Sequence, residues 1–436
     1  MTESLIGFAA LLALVFLRVP IAIAMGLVGF FGFAHMVSMN AATSMVANAA
    51  YETGVSYTLS VVPLFVMMGN FVTRAGLSGE LYRASNAFLG HFKGGLAMAT
   101  IVACGGFSAV CGSSIATAAT MSKVTMPSMR QYGYSDALAA GSIASGGTLG
   151  ILIPPSVILV IYGVMTESDI GKLFIAGILP GLIGVLLYLA AVRFTVWRNP
   201  KAGPPAERSD WTERRAALAD TSAVLLLFVL IIGGIYGGVF TPTEAAGMGA
   251  AGAFLITLWR RKLTLPLLID VLVDTVQTTA MLFTVLIGAT IFANFINFAD
   301  LPNILIDWLT GFELTPATIL LLILCVYLVL GCVLESLSMI LLTVPVFYPL
   351  VVGLDFGLTP EETLIWFGII VVVATEISLI TPPIGMNVFV LKTTLPDIPM
   401  KRVFAGVTPF WIADIIRLAL LVGFPALSLW LPSAMN

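Results

Sequence analysis

Apolar stretches long enough to cross the ~30 Å hydrocarbon core of a bilayer recur from one end of this chain to the other. They fall at 3–17, 20–37, 57–73, 135–166, 170–194, 217–238, 244–259, 275–298, 362–392 and 403–431, with 135–166 and 362–392 interrupted. Only 10% of the residues are charged, against roughly 25% in a soluble domain. A backbone inside hydrocarbon must satisfy its own polar groups, so the expected fold is an all-α polytopic membrane protein. The first run has no basic leader and a second apolar run follows it directly, so it reads as a span and not as a cleavable signal. A formal charge of -3 argues against a nucleic-acid partner. Cys104, Cys111, Cys325 and Cys332 all sit in apolar stretches, which implies no disulfide framework.

Two further apolar stretches, 94–127 and 316–350, carry a polar break at mid-length and read as re-entrant helical hairpins. Charge placement supports that reading. Basic residues gather around 18, 74–93, 123–130, 193–215, 260–262 and 392–402, whereas the alternate loops are acidic (Glu52, Glu167, Asp169, Asp300, Asp307, Glu313, Asp355, Glu361, Glu362). The positive-inside rule places the basic set in the cytoplasm. Both termini then lie outside, provided each hairpin returns to its own side. Ordinary spans at the two hairpins would instead invert every later loop. Segments 74–93 and 299–315 are amphipathic and could lie in the interface plane as arms; solvated loops are the alternative. The connection 195–218, rich in Pro, Arg and Glu, divides the chain into halves.

The halves repeat each other. Pro20 and Pro242, Pro127 and Pro349, and the breaks Ser113-Ser114 and Glu335-Ser336 are each 222 residues apart. Pro154-Pro155 and Pro382-Pro383 are 228 apart, a six-residue insertion. An odd number of spans separates the copies, so the repeat is inverted. Inverted repeats with broken helices characterise secondary transporters that bind substrate near the midplane. A broken helix leaves carbonyl and N–H groups free, and these are tolerated in a membrane only where something polar meets them.

The chemistry therefore belongs at the breaks. In the first half these are the hairpin tip, Gly105 to Thr117, and the run Ser145-Gly146-Gly147-Thr148-Leu149-Gly150-Ile151-Leu152-Ile153-Pro154-Pro155-Ser156. Hydroxyls and freed carbonyls without a carboxylate suit a weakly held monovalent cation such as Na⁺ better than Mg²⁺ or Zn²⁺. A small-residue packing seam is the plainer reading, but two consecutive prolines destroy the helix a seam requires. The second half offers Gly331 to Ser338 and Thr375 to Asn387, in which Ser378 matches Gly150 and Thr381 matches Ile153. Glu335 and Glu376 are intramembrane carboxylates, which suggest function by default, although either one could cap a helix. Helix N-termini after the prolines would favour an anion, so a small organic acid is the expected substrate. Asp414 and Arg417, one turn apart, read as an internal ion pair. Gly177 to Gly181 and Gly234 to Gly238 read as packing seams.

The strings Pro63-Leu64-Phe65 to Gly69-Asn70, Cys111-Gly112-Ser113-Ser114-Ile115-Ala116-Thr117-Ala118-Ala119-Thr120-Met121, Ile153-Pro154-Pro155-Ser156, Phe240-Thr241-Pro242-Thr243-Glu244-Ala245-Ala246 and Thr381-Pro382-Pro383 closely resemble the large membrane subunit of TRAP (tripartite ATP-independent periplasmic) transporters. That resemblance covers essentially the whole chain. It implies a multi-pass protein of the bacterial inner membrane, a Na⁺-coupled importer working as an elevator. Its partners would be a small four-helix membrane subunit, a periplasmic substrate-binding protein, the organic acid and the lipid bilayer. It implies no cofactor beyond Na⁺ as coupling ion and no enzymatic activity.

Carried over residue by residue, the resemblance implies a first sodium site at Ser108, Cys111, Gly150, Ile153 and Pro155, and a second at Ser378, Thr381 and Ile384. Cys111 stands where the family pattern has Ser, and Glu335 where Asp is common. The bend residues Ser113 and Ser114 extend the first set, and Glu335 and Ser338 the second. Ser114, Thr117, Ser156, Thr381 and Asn387 are the candidate substrate contacts.

The expected division is scaffold and arm at 1–93 and transport-domain half at 94–169, comprising hairpin 94–130 and broken helix 135–166. A scaffold helix and linker at 170–216 and a second scaffold and arm at 217–315 follow. The second transport half is 316–402, with hairpin 316–350 and broken helix 362–392, and a last scaffold helix covers 403–436. The alternative function is a single-component Na⁺/carboxylate symporter of the same superfamily, but its usual Ser-Asn-Thr strings are absent at 145–156 and 375–387. An intramembrane enzyme is disfavoured, since no metalloprotease, nucleophile-elbow or P-loop motif occurs and only two histidines are present. Hairpins meeting midway would block a channel.

Overall fold

The computed structural model describes residues 2–310, 312, 314–331 and 334–435. It is helical throughout these residues, and its elements fall into two sets of ten that follow the sequence repeat. The first set is α1 (Thr2–Phe16), α2 (Ile21–Met36), α3 (Met39–Val55), α4 (Val61–Arg74), α5 (Leu77–Leu89), α6 (Gly95–Cys111), α7 (Ser114–Gln131), α8 (Asp136–Thr148), α9 (Val157–Thr166) and α10 (Ile170–Arg198). The second is α11 (Trp211–Tyr236), α12 (Pro242–Trp259), α13 (Leu265–Phe298), α14 (Leu301–Thr310), α15 (Pro316–Leu330), α16 (Ser336–Val352), α17 (Pro360–Ser378), α18 (Met386–Thr394), α19 (Met400–Gly423) and α20 (Ala426–Ser433).

Local chemistry explains where these helices begin. Side-chain caps from Ser38, Ser113, Ser135, Ser156, Asp169, Thr264 and Thr315 satisfy first-turn N–H groups. The string Phe240-Thr241-Pro242-Thr243-Glu244 is a helix start in full: Thr241 is the cap, Pro242 opens the first turn and Glu244 closes a capping box. Thr359, Pro360 and Glu362 do the same for α17.

Both hairpins are present, α6/α7 bending at Gly112-Ser113 and α15/α16 bending between Gly331 and Glu335. Cys332 and Val333 of the second bend lie outside the described residues. Both double-proline positions interrupt a helix, parting α8 from α9 and α17 from α18. Among the described residues, α10, α11, α13 and α19 are each long and apolar enough to cross a membrane, and α3 with α4, bent by 58°, is apolar enough for a broken span or a re-entrant loop. Hairpin arms of 15–18 residues rise only about 22–27 Å at 1.5 Å per residue. The chain is a multi-pass membrane protein.

The two halves interlock. Helix α2 packs on α13 and α12 on α4, a symmetric pair of contacts. Hairpin arm α7 packs on half-helix α18, and α16 on α9, so each hairpin meets the broken helix of the other half. Helices α8 and α19 cross so closely that a Cβ on Gly406 would overlap the Ala137 carbonyl, and one on Gly141 would overlap Gly406. Small residues at such crossings allow backbone contact.

Several boundaries correct the sequence reading. Helix α3 was expected to be a loop, because Asn40, Thr43, Ser44, Asn48 and Glu52 dilute its apolar pattern. Helix α13 begins at Leu265, not 275, since Asp270 and Asp274 face an ion partner, Arg74 of α4, at 3.0 and 2.5 Å. The expected span 403–431 breaks before Pro425 into α19 and α20. The connection between halves shrinks to 199–210. The arms are helices: α5 docks on α6 and α11, with buried Glu80 paired to Arg260, and α14 docks on α16 and α13.

Candidate functional site

Each hairpin bend rests on a break. A Cβ on Gly150 would stand 3.0 Å from the Ser113 carbonyl and 3.1 Å from Ser114 N, and one on Gly112 would stand 3.3 Å from the Pro155 carbonyl. Glycine at 150 thus lets the first bend settle onto the first break. In the second half Gly331 lies directly against Ser378, its Cβ position occupied by that side chain. The predicted pairings of bend with break are therefore present in both halves.

The breaks leave backbone oxygens free. The carbonyls of Ile153, Pro155, Thr381 and Ile384 accept no hydrogen bond from the described residues. Ile153 and Thr381 are repeat mates under the 228 offset. Ser108 Oγ is fully buried and also without a partner. Uncharged oxygens of this kind suit a monovalent cation.

The remaining candidates divide by what their side chains already do. Ser156 is fully buried; its hydroxyl donates to Ile151 O (2.5 Å) and caps α9 through Leu159 N. Thr117 donates to Ser113 O (2.7 Å), and Ser378 to Thr375 O (2.7 Å). Thr381 donates to Ile377 O (2.6 Å) and accepts from Trp411 Nε1 (2.9 Å). Ser113 caps α7 through Ala116 N, whereas Ser114 is buried at the first position of that helix. Glu335 holds the cap position of α16 and accepts from Ser338 (3.1 Å). Cys111 is a free thiol at the end of α6. Asn387 is fully buried; its Nδ2 donates to Ala144 O of α8 (3.0 Å), while its Oδ1 has no partner. That bond ties the second break to the first.

Pro154 and Pro155 are buried, but Pro382 and Pro383 are exposed. The second break opens onto accessible space and the first does not.

The expected Asp414–Arg417 ion pair is present, but it belongs to a larger polar cluster that the sequence did not reveal. Arg417 binds Glu376 as well as Asp414, and all three are fully buried. Arg417 Nη2 lies 2.9 Å from Asp414 Oδ1, an ion pair outside hydrogen-bonding direction. Tyr188 donates to Asp414 Oδ2 (2.5 Å) and stands 3.0 Å from Thr148 Oγ1. Space for the guanidinium comes from Gly184, whose Cβ would overlap it. Glu376 is thus an ion-pair member and no helix cap. Its intramembrane charge was the signal, but its partner lies 41 residues away. The expected seam at Gly177 and Gly181 is real, packing on the Leu152 carbonyl and on Ile153 of the first break.

Residues 8–427 match the family model described as the tripartite ATP-independent periplasmic transporter, DctM component. The chain belongs to the TRAP transporter DctM family. It is 38% identical over 384 residues to the C4-dicarboxylate TRAP transporter large permease protein of Pseudomonas aeruginosa, covering 88% of each chain. It is 32% identical over 451 residues to the C4-dicarboxylate large permease protein of Rhodobacter capsulatus, covering 100% of each. The sialic acid TRAP transporter large permease protein of Vibrio cholerae is 36% identical over 379 residues, covering 86% of each. Among solved structures, the YdaH transporter of Alcanivorax borkumensis shares the fold, with a TM-score of 0.60 at 15% identity over 88% of this chain and 87% of that one. Like its DctM relatives this chain is a transporter permease subunit, and the family is not enzymatic.

Proposed function

We propose that this TRAP permease subunit imports a small organic acid across the bacterial inner membrane, driven by Na⁺. The observation that carries the reading is the set of partnerless carbonyls at two repeat-related breaks, Ile153 and Pro155 in one and Thr381 and Ile384 in the other. Sodium at each set would supply the positive charge that broken backbone in hydrocarbon calls for. Ser108, Cys111, Ser113, Ser114 and Gly150 complete the first site; Ser378, Glu335 and Ser338 complete the second. The carboxylate of the substrate would lie between the bends and the breaks; the N-termini of α7 and α16 at the bends favour an anion, as do those after the prolines, where Ser156 already caps α9. Ser114, through its hydroxyl, and Asn387, through the Nδ2 hydrogen not given to Ala144 O, are the candidates with a donor to spare, because the hydroxyl protons of Thr117, Ser156 and Thr381 are already engaged.

In this reading hairpins and breaks, 94–169 with 316–402, form one mobile body that carries along α10 and α19, which are packed on the breaks and bonded to them, and it moves as an elevator against a scaffold built of the rest. A small membrane subunit would enlarge the scaffold, and a periplasmic binding protein would deliver the acid. Relatives named for C4-dicarboxylates and sialic acid support an organic acid.

Vesicles holding both membrane subunits, supplied with loaded binding protein, should accumulate substrate only under an inward Na⁺ gradient. Uptake undiminished when K⁺ replaces Na⁺ would remove the coupling. In the same assay Thr381→Val, which deletes the hydroxyl that joins Trp411 to the break, should raise half-saturating Na⁺ about tenfold, the equivalent of one hydrogen bond of ~1.4 kcal/mol. An unchanged Na⁺ titration would place the second site elsewhere.

A further inference from the structure

The buried network of Thr148, Tyr188, Asp414, Arg417 and Glu376 joins four helices, α8, α10, α19 and α17. Its two ends are repeat mates: Thr148 and Glu376 are 228 residues apart, the offset that relates the two double prolines. Each end also stands two residues before a proposed cation ligand, Gly150 in the first break and Ser378 in the second. The middle of the chain is supplied by α10 and α19, the helices that follow the two broken ones. Four consecutive polar contacts thus run from one break to the other.

We propose that this network couples the two cation sites, so that Na⁺ bound at one break organises the other. The inference rests on the Na⁺-coupled reading above. Three features fit it. All five side chains are fully buried, so their contacts are not loosened by competing water. Three of the four links involve an ionised side chain; in the fourth, Tyr188 gives its proton to Asp414, so the Thr148 hydroxyl must share its own between Tyr188 and Ser145 O. Glu376 Oε1 and Arg417 Nε and Nη1 have no hydrogen-bond partner among the described residues, so the cluster keeps capacity to re-form around a shifted break. Thr148, Tyr188, Asp414, Arg417 and Glu376 are positioning residues here; none of them is a ligand of either cation. Coupling between sites is reciprocal, and its signature is a steep Na⁺ dependence.

Tyr188→Phe cuts the chain at its centre while keeping the ring and every charge. Uptake by the folded variant should then follow Na⁺ with a Hill coefficient reduced from well above one to about one; because Asp414 Oδ2 also loses its donor, the thermal midpoint should fall as well, and the Thr148 pair separates coupling from stability. Thr148→Val breaks the same link from the other end and should flatten the curve likewise, whereas Thr148→Ser, which keeps the hydroxyl, should restore its steepness. A wild-type slope in a folded Tyr188→Phe or Thr148→Val protein overturns the proposal, as does a wild-type protein whose own Na⁺ curve has a coefficient of one. Wild-type uptake that ignores Na⁺ altogether would instead strike the underlying reading of Na⁺ coupling. If the Tyr188 variant fails to fold, the Thr148 pair decides the matter.

Discussion

Arg417→Met should be the most damaging single change in the chain. It removes the guanidinium that both Glu376 and Asp414 face, in a place where all three side chains are fully buried. Two carboxylates would then confront each other with no water and no counter-charge. Breaking a buried ion pair by deleting one partner costs about 3–5 kcal/mol, so the variant should yield little monodisperse protein in detergent and a sharply lower thermal midpoint. Methionine occupies similar volume, so loss of packing does not explain the effect. Adding Glu376→Gln and Asp414→Asn to the same chain should recover much of the midpoint, because the stranded charge is gone. A stable single variant with the wild-type midpoint would mean that the acids reach water.

The second large effect is expected at the crossing of α8 and α19. Gly406 leaves no room for a methyl group, because the neighbouring atom is the Ala137 carbonyl and backbone cannot turn aside as a side chain does. Gly406→Val must push the helices apart. Overpacking a well-filled interior costs about 1–3 kcal/mol, occasionally more, and a rigid backbone contact belongs at the upper end. The displacement would also pull Asp414 and Arg417, about two and three turns further along α19, away from Tyr188 and Glu376. Thermal unfolding should show the loss, and Gly423→Val on the same helix, where a Cβ would meet nothing within 4 Å, is the control that should not. Equal midpoints for the two variants would contradict the close crossing.

Much of the fold was legible because membrane folding is governed by a few strong rules. Proline pairs in an apolar run cannot be helical, and both of them do part a helix. The 222 offset matched the starts of α7 and α16 to the residue, Ser114 with Ser336. Less visible were helices whose polar residues meet partners elsewhere in the fold. Asp270 and Asp274 made the start of α13 look like a loop until Arg74 of α4 appeared beside them. Helix α3 was hidden in the same way, although the repeat itself could have exposed it: α13, shifted back by 222, covers 43–76, which is most of α3 and all of α4. In the candidate site, bends and breaks came together as expected. Which hydroxyls were already spent on the backbone was beyond the sequence, since Ser156 as a cap and Ser156 as a ligand look the same in one dimension.

The short joint between the halves does more than connect them. Its Ala202 and Gly203 carbonyls accept from Ser135 and Gly94, at 3.0 and 2.9 Å, and Ala206 donates to Gly90 at 2.9 Å. Gly94 opens the first hairpin and Ser135 opens the broken helix that follows it. The joint is thus a clasp on the starts of both first-half elements, and its length sets how far apart they can stand. Fluorophores, epitopes or fusion partners spliced into 202–206 would break the very backbone bonds that hold the hairpin they are meant to report on.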